Sequence, residues 1–333
     1  MHSGNVLSQL SIIILNWNGK GFLADCLNSL SDQVSNNSEV VLVDNGSVDG
    51  SVEFIKAEYP WVKLVELPKN LGFAEGNNRG LELCRGDYIV TLNNDTKVAP
   101  DFFTELTKAV ENDEKVGMVA AKMLNFYDKG CIDSVGVKVA ENGLGYNIGV
   151  GELDTGQYDE PTEVFGPCAG AALYRRKMID EVGFFDPDFF AYYEDLDLAW
   201  RGRLAGWKCV TAPKAIVYHI HSATSGKGSS FTVFQVHRNK WYTLLKNWPA
   251  GLLLKKLPAI LALDFASFLL AIIRGRGAAA IKARFDVLCN VRKFWHKRKS
   301  LKRHTKILPG EIEVFFSSVE SPWKTLVRKV EDR

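Results

Sequence analysis

Three short apolar runs in the first hundred residues each end in a cluster of polar side chains. The runs cover residues 11–15, 39–43 and 88–92, and stretches with the apolar spacing of α-helices separate them. Alternation of strands and helices at these intervals predicts an α/β fold, with a mostly parallel sheet and helices on both faces. In such sheets, ligands bind beyond the carboxyl ends of the strands. We therefore expect the polar residues at those ends to share one site; they are Asn16, Asp44, Asn93, Asn94 and Asp95.

The remainder of the chain changes character twice. Residues 117–164 are richer in glycine and predict a β-rich segment, and residues 207–217 predict a further strand that leads to His219. Beyond residue 233 the apolar spacing becomes helical. We predict two domains, an α/β domain in residues 1–230 and a helical extension in residues 231–333.

Charge is distributed very unevenly along the 333 residues, although the net charge is only +2. Residues 238–306 hold 17 lysines and arginines against two aspartates, whereas residues 1–237 hold 32 acidic and 20 basic side chains. A segment this basic predicts an anionic partner. Its basic residues flank an apolar stretch at 252–273, which favours an anionic membrane surface over a nucleic acid. A single membrane span is the less favoured alternative, because residues 257–273 are few and include Asp264.

The six cysteines are widely separated and form no Cys-x-x-Cys pair. This spacing argues against a disulfide framework or a structural zinc site and favours a reducing compartment. Together with the basic C-terminal segment, it predicts a peripheral protein on the cytoplasmic face of the cell membrane.

The sequence Asn93-Asn94-Asp95 follows a predicted buried strand directly. A carboxylate with amide neighbours at this place holds a hard divalent cation well, and the cation would bridge a diphosphate. The alternative is an ordinary Asx turn. His219 and His221 follow a later strand, and with this spacing only one of them easily faces a cleft, where it would be a further metal ligand.

Two other segments carry candidate ligand contacts. Asp44 ends the second strand, where a carboxylate can accept a hydrogen bond from the imide of a pyrimidine base. Residues 70–80 read NLGFAEGNNRG, and their glycines and asparagines suit a loop that lies against a diphosphate or a sugar. A flexible loop without a ligand is the alternative for this segment.

Three carboxylates crowd the predicted start of a helix; they are Glu194, Asp195 and Asp197. The helix dipole favours their ionised form. An ionised carboxylate in a cleft can remove a proton from a hydroxyl group. The alternative is the ordinary enrichment of acidic residues at a helix N-terminus.

In their order along the chain, these segments resemble the inverting glycosyltransferases of family 2, and among them the rhamnosyltransferase-like branch. The resemblance covers roughly residues 11–239 and rests on SIIILNWNG, VLVDNGSVDGS, NLGFAEGNNRG, LNNDT, GFFDPDFFAYYEDLDLAWR and AIVYHIHSAT. It implies a GT-A fold, which is a Rossmann-like sheet, here with a C-terminal helical extension. It also implies a nucleotide-sugar donor and a divalent cation, Mg²⁺ or Mn²⁺.

The resemblance implies a role for each matched position. Asp195 corresponds to the catalytic base, and its neighbour Glu194 is the second candidate. Asp95 would hold the metal and His219 would complete the metal site, although asparagine stands where the family's metal motif usually begins with aspartate. The positions assigned to the donor are Asn16, Asp44, Asn70, Gly72, Asn77, Asn78, Asn93, Asn94 and Arg201.

The implied reaction is one displacement with inversion, in which an acceptor hydroxyl deprotonated by Asp195 attacks the anomeric carbon. The acceptor would be a glycan or a polyprenyl-diphosphate-linked sugar. Two alternatives stay open: a nucleotidyltransferase, and a catalytically degenerate scaffold or carbohydrate-binding protein. The first usually has a basic glycine-rich loop where this chain has NWNGKG. The retention of Asp95, Asp195 and His219 together speaks against the second.

Overall fold

Strands and helices alternate along the N-terminal part of the chain, as the apolar pattern predicts. The computed structural model describes residues 10–34, 37–220, 228–301, 303 and 305–317. The strands are β1 (Leu10–Asn16), β2 (Ser38–Asp44), β3 (Lys63–Glu66), β4 (Tyr88–Asn93), β5 (Thr96–Val98), β6 (Val116–Asn125), β7 (Ile132–Ser134), β8 (Val137–Ala140), β9 (Gly145–Asn147), β10 (Ala171–Arg175), β11 (Lys208–His219) and β12 (Phe316–Ser317). The helices are α1 (Lys20–Ser31), α2 (Ser51–Glu58), α3 (Gly72–Leu81), α4 (Phe102–Glu111), α5 (Arg176–Val182), α6 (Glu194–Leu204), α7 (Ser230–Asn247), α8 (Ala250–Ile273), α9 (Gly277–Leu301) and α10 (Pro309–Glu313).

The central sheet has the strand order β3-β2-β1-β4-β10-β6-β11-β5, and β7 pairs with β6. Strands β3, β2, β1 and β4 run parallel, whereas β10 is antiparallel to both of its neighbours. The register places Asn16 opposite Asp44, and Leu15 opposite Asn93. The polar residues that end these strands therefore lie side by side at one edge, as expected.

Helices cover both faces of this sheet. Side chains alternate along β1, so that Ile12 and Ile14 pack into one apolar core and Ile13 packs into another. The first core includes Leu27 of α1, and the second includes Trp200 of α6. The predicted α/β arrangement is thus confirmed.

The glycine-rich segment forms β6–β9, which confirms the prediction of a β-rich region. Strands β8, β9 and β12 make a separate three-stranded sheet. Strand β12, from the far end of the described chain, pairs with β8. The C-terminal segment thereby returns to the sheet region beside the site described below.

Helices α7, α8 and α9 form the predicted helical extension. Trp248, Leu252, Ile260 and Phe294 from this region belong to the same apolar core as Trp200. In the described part of the chain, α8 is the helix that is long and apolar enough to cross a membrane. Its contacts are considered below.

One helix begins earlier than its sequence suggests. Residues 70–80 are predicted as a loop, but α3 starts at Gly72 and continues to Leu81. A β-carbon at Gly76 would lie 2.4 Å from Leu15, and one at Gly80 would lie 2.6 Å from Ile13. These glycines let α3 approach the sheet closely, which is a packing role rather than a ligand-binding role.

Candidate functional site

A cavity of about 950 Å³ opens at the carboxyl edge of the sheet. The ends of β1 and β4, the β8–β9 hairpin, the start of α6 and one side of α7 form its wall. Such a volume is typical of pockets that enclose small organic ligands. Among the predicted site residues, those on the wall are Asn70, Gly72, Asn93, Asn94, Asp95, Glu194, Asp195 and His219.

A chain of hydrogen bonds links the polar ends of three neighbouring strands. The amide of Asn94 donates to Asn16 Oδ1 over 2.7 Å, and the amide of Asn16 donates to Asp44 Oδ2 over 2.9 Å. The other oxygen of Asp44 accepts from the backbone N–H of Ser47. Asn16 and Asp44 are buried and do not line the cavity. In this structure they lie behind the cavity wall, and Asn94 is the residue of this hydrogen-bonded chain that reaches the cavity.

Asp95 and His219 meet on the cavity wall. Their closest atoms, Asp95 Oδ1 and His219 Nε2, are 3.3 Å apart, and the Asn93 amide nitrogen lies 3.3 Å from the same ring nitrogen. On the far side of the ring, His219 Nδ1 lies 2.6 Å from Asp133 Oδ2. A carboxylate behind an imidazole is the usual support for a metal-binding histidine, because it fixes the ring so that the other nitrogen faces the ligand.

Burial alone would lower the pKa of His219, but its hydrogen bonds to Asp133 and Asp95 outweigh burial and raise the pKa to about 9. No group of three or more cysteine, histidine or acidic side chains is placed to hold a metal within the described residues. One carboxylate and one imidazole would nevertheless fit a Mg²⁺ or Mn²⁺ ion that takes its other ligands from water and from a diphosphate, with the ion displacing the proton from His219 Nε2. The buried Asp133 behind the ring supports that assignment.

Glu194 and Asp195 open α6 and face the same cavity. Asp195 accepts hydrogen bonds from the backbone N–H groups of Leu196 and Ala169. Within the described residues, Oε2 of the buried Glu194 has no hydrogen-bond partner. Burial raises the pKa of both carboxyl groups, and the charge of Asp195 raises the pKa of Glu194 further. Both carboxyl groups therefore hold a proton more readily than an ordinary carboxyl group does, and the effect is larger for Glu194.

The loop before α6 is held in an unusual backbone conformation. Phe190, Tyr192 and Tyr193 have φ values of 62°, 68° and 71°, in the left-handed region that such residues rarely adopt. Each costs about 1–3 kcal/mol unless the surroundings enforce it. The enforcing group is the buried Asn239 of α7, whose amide donates to the carbonyl groups of Phe189, Ala191 and Tyr192. We call this contact the Asn239 clamp, and it holds the loop that leads into α6.

Three residues assigned to the donor lie away from the cavity. Arg201 is buried, bonds to Asp197 and donates to the carbonyl groups of residues 182–184, because it lies about two turns into α6 and points back into the core. Asn77 and Asn78 lie on α3 and donate to the backbone of Phe73 and Phe185. These three side chains thus form hydrogen bonds within the protein and do not face the cavity. His221 falls outside the described residues.

Sequence analysis missed four residues that shape the site. Asp133 lies in the short β7, where no motif marks it, and Asn239 lies in a helix that showed only apolar spacing. Asn45 and Trp17 line the cavity directly after strand ends. Both could have been predicted from the sequence, because Asn45 directly follows Asp44 and Trp17 directly follows Asn16.

Replacing Asp133 by asparagine tests the role of His219 as a metal ligand. Without the carboxylate behind the ring, we expect Mn²⁺ affinity to fall by about 10–100-fold, as is typical for the outer partners of metal ligands. Calorimetric titration of Mn²⁺ in the presence of UDP would measure this without an activity assay. Asp128→Asn, at an exposed position in the same region, is the control. Equal affinities in both variants would contradict the assignment.

The chain matches known proteins over this region. Its residues 11–183 match the sequence profile of glycosyl transferase family 2. It is 27% identical to the N-acetylglucosaminyl-diphospho-decaprenol L-rhamnosyltransferase of Mycobacterium tuberculosis over 264 residues, which is 73% of this chain and 85% of that protein. It is 29% identical to protein y4gI of Sinorhizobium fredii over 57% of this chain, but spans only 22% of that longer protein.

Solved structures resemble the fold. GalNAc-T7 with UDP, GalNAc and Mn²⁺ aligns with a TM-score of 0.61 at 18% identity, over 74% of this chain and 49% of that one. The mannosyltransferase PcManGT from Pyrobaculum calidifontis, in complex with GDP-Man and Mn²⁺, aligns with a TM-score of 0.54 at 18% identity, over 89% and 86%. These likenesses confirm the predicted GT-A fold. Because the family profile covers more than half of the chain, the protein belongs to glycosyltransferase family 2.

Proposed function

We propose that this glycosyltransferase moves a sugar from a nucleoside-diphosphate sugar to a hydroxyl group of a glycan or lipid-linked acceptor, with inversion at the anomeric carbon. The donor would be dTDP-rhamnose or a UDP-sugar, and the product would enter polysaccharide or cell-surface glycan synthesis. One observation carries the proposal. Asp195 and the Asp95–His219 pair face the same cavity of about 950 Å³.

The geometry suggests how this chain's residues share the reaction. Asp195, aimed by its two backbone hydrogen bonds, takes the proton of the acceptor hydroxyl. The oxygen then attacks the anomeric carbon, and the bond to the diphosphate breaks. A divalent cation held by Asp95 and His219 would supply charge neutralisation at the departing diphosphate. Glu194, whose pKa is raised by burial and by the charge of Asp195, would donate a hydrogen bond within the cavity when it is protonated.

The cavity wall offers two different surfaces. Trp17, Asn45, Asn70 and Asn94 supply an aromatic ring and amides on the side of the strand ends, which suits a base and a diphosphate. Tyr146 of β9, with Phe190, Tyr192 and Phe231, supplies aromatic faces on the side of α7. Aromatic faces of this kind pack well against sugar rings. We therefore assign the first surface to the donor and the second to the acceptor.

The relatives support the choice of substrates. The mycobacterial relative is named for rhamnose transfer to a diphospho-decaprenol-linked sugar. Two structures with the same fold hold a nucleotide or nucleotide sugar together with Mn²⁺. With a lipid-linked acceptor and a soluble donor, the reaction would take place at the cytoplasmic face of the membrane.

A donor screen tests the proposal directly. Purified full-length protein with Mn²⁺ would be given UDP-, dTDP- and GDP-sugars, with and without a short-chain polyprenyl-diphosphate sugar as acceptor. We expect release of nucleoside diphosphate from one donor class, stimulated by the acceptor. The anomeric configuration of the product, read by NMR, reports inversion. Absence of release from every donor would favour a catalytically degenerate protein instead.

Replacing Asp95 by alanine should weaken both donor binding and turnover. The variant loses the carboxylate of the metal pair, so we expect turnover to fall on the order of 10²-fold. Excess EDTA should bring the wild-type protein to a similar level. Asp25→Ala, which removes an exposed carboxylate from α1, is the control. Full activity of the wild-type protein in EDTA would contradict metal dependence.

A further inference from the structure

The outer face of α8 is apolar and open to solvent. Leu254, Leu261, Phe265, Leu269 and Ile272 are 70%, 50%, 61%, 42% and 48% exposed. Their spacing of three, four and seven residues places them on one side of the helix. The opposite side packs into the protein through Leu252, Ile260 and Ala271. Helix α8 is therefore apolar on both sides, and its outer side lacks a cover within the described residues.

Helix α9 extends the same kind of surface. It follows α8 after a turn at residues 274–276 and packs against it. Ile281, Phe285, Leu288 and Trp295 are exposed and also recur at helical spacing. Of the 21 exposed large apolar side chains in the described residues, 11 lie between Leu254 and Trp295. This concentration exceeds the scattered apolar residues that water-exposed surfaces ordinarily carry.

Basic side chains accompany this apolar surface. Residues 250–301 hold 11 lysines and arginines against two aspartates. Arg274 at the turn, and Lys282, Arg292 and Lys299 along α9, are exposed. An apolar face with cationic neighbours matches the interface of an anionic bilayer, where apolar groups enter the acyl region and cations meet the lipid phosphates.

The polar contacts of α8 fix how it would meet a membrane. Its Asp264 is half-buried, and its oxygens bind Lys240 and Trp241 of α7 and Arg284 of α9. Near the start of α8, Lys256 pairs with Glu141 of the catalytic region. A bilayer crossing would have to break these contacts or carry the charges into the acyl region, which is costly. These contacts favour a helix that would lie along a membrane surface over one that would cross it.

We propose that α8 and α9 form a helical hairpin that docks in the plane of an anionic membrane through the exposed faces described above. We call this the docking hairpin. It is independent of the transfer reaction, since it uses none of the residues of the cavity.

Helix α7 connects the docking hairpin to the cavity. Phe231 near its start lines the cavity, and Lys240 further along binds Asp264 of the hairpin. With a rise of about 1.5 Å per residue, these two positions are about 14 Å apart along the helix. Tyr242 adds a hydrogen bond to Asp286 of α9. Docking would thus hold the acceptor side of the cavity within reach of a lipid-linked sugar.

Vesicle binding by full-length protein tests the docking hairpin without any donor. We expect co-sedimentation with vesicles of phosphatidylglycerol and phosphatidylcholine, and much weaker binding to phosphatidylcholine alone. The double variant Phe265→Ser/Phe285→Ser should bind about tenfold less, because it removes one large apolar group from each helix. Tyr127→Ser/Leu153→Ser, which removes exposed apolar groups outside the hairpin, should bind as the wild type does. Thermal melts would confirm that both variants fold.

The orientation of the hairpin can be read separately. Cys289 on α9 is the exposed cysteine and accepts an environment-sensitive dye, whose emission should shift to the blue with anionic vesicles. Alkaline carbonate should release the protein from cell membranes if the hairpin lies in the interface. Retention after carbonate would overturn the in-plane arrangement. The proposed membrane-binding surface would be wrong if the double variant bound vesicles as well as the wild type does. It would also be wrong if analytical ultracentrifugation showed a wild-type dimer that dissociates in the double variant.

Discussion

Replacing Asp195 by asparagine should lower turnover by about 10²–10⁴-fold, the usual loss when a general base is removed. The asparagine keeps the shape of the side chain, and its single amide oxygen can still accept one of the two hydrogen bonds from Leu196 and Ala169. We therefore expect the fold and the affinity for the donor to change little. Turnover with the donor identified by the screen, together with the thermal midpoint and donor affinity, would measure the three properties.

The neighbouring carboxyl group provides the matched control. Glu194→Gln keeps the size of the side chain and leaves Asp195 in place, so it should reduce turnover far less than Asp195→Asn does. If Asp195→Asn retains more than about a tenth of wild-type turnover, Asp195 is not the base. If Glu194→Gln instead shows the large loss, the roles of the two residues are exchanged.

Replacing Asp197 by alanine should destabilise the fold by about 3–5 kcal/mol, the usual cost of removing one partner from a buried ion pair. Asp197 is fully buried; it binds Arg201 at 2.9 Å and Lys246 at 2.8 Å, and it accepts a hydrogen bond from Asn247. Its loss leaves two buried cations without this partner. Urea unfolding of the full-length protein would measure the change in the free energy of unfolding.

The control for this experiment is Asp180→Ala, which removes an exposed aspartate from α5. Surface changes of this type usually alter stability by less than about 0.5 kcal/mol. Equal unfolding midpoints for the two variants would show that the charges around Asp197 are rearranged at little cost.

Much of the fold could be predicted because local patterns determine it. Strands β1, β2 and β4 carry continuous apolar runs, as buried parallel strands do. Their polar ends then follow from the topology. The antiparallel insertion of β10 between β4 and β6 had no such signal, since pairing over a long sequence separation depends on the whole core. Helix α3 was partly mistaken for a loop, because glycines that allow close helix packing look the same in sequence as glycines in a turn.

The candidate site was likewise predictable where the local sequence determines it, and not where contacts between distant residues do. Asp95, His219 and Asp195 were predicted because they follow strand ends or open a helix, and all three lie on the cavity wall. The direction of a side chain within a helix is harder to predict. Arg201 and Asp197 follow the acidic pair on α6, yet they turn into the core and bind each other. Asp133 supports His219 across the fold, and such a contact leaves no mark in the local sequence.

The Asn239 clamp has a consequence for the order in which the protein is made. Asn239 comes 50 residues after Phe189, whose carbonyl group it binds, so a ribosome releases Glu194 and Asp195 well before Asn239. Until α7 is synthesised and docked, the left-handed backbone at Phe190, Tyr192 and Tyr193 lacks the three hydrogen bonds of the clamp. The loop before Asp195 would therefore reach its final conformation only when the segment leading to α8 and α9 has emerged. With the roles proposed for Asp195 and the docking hairpin, the active site and the membrane-facing surface would be completed at nearly the same stage of synthesis.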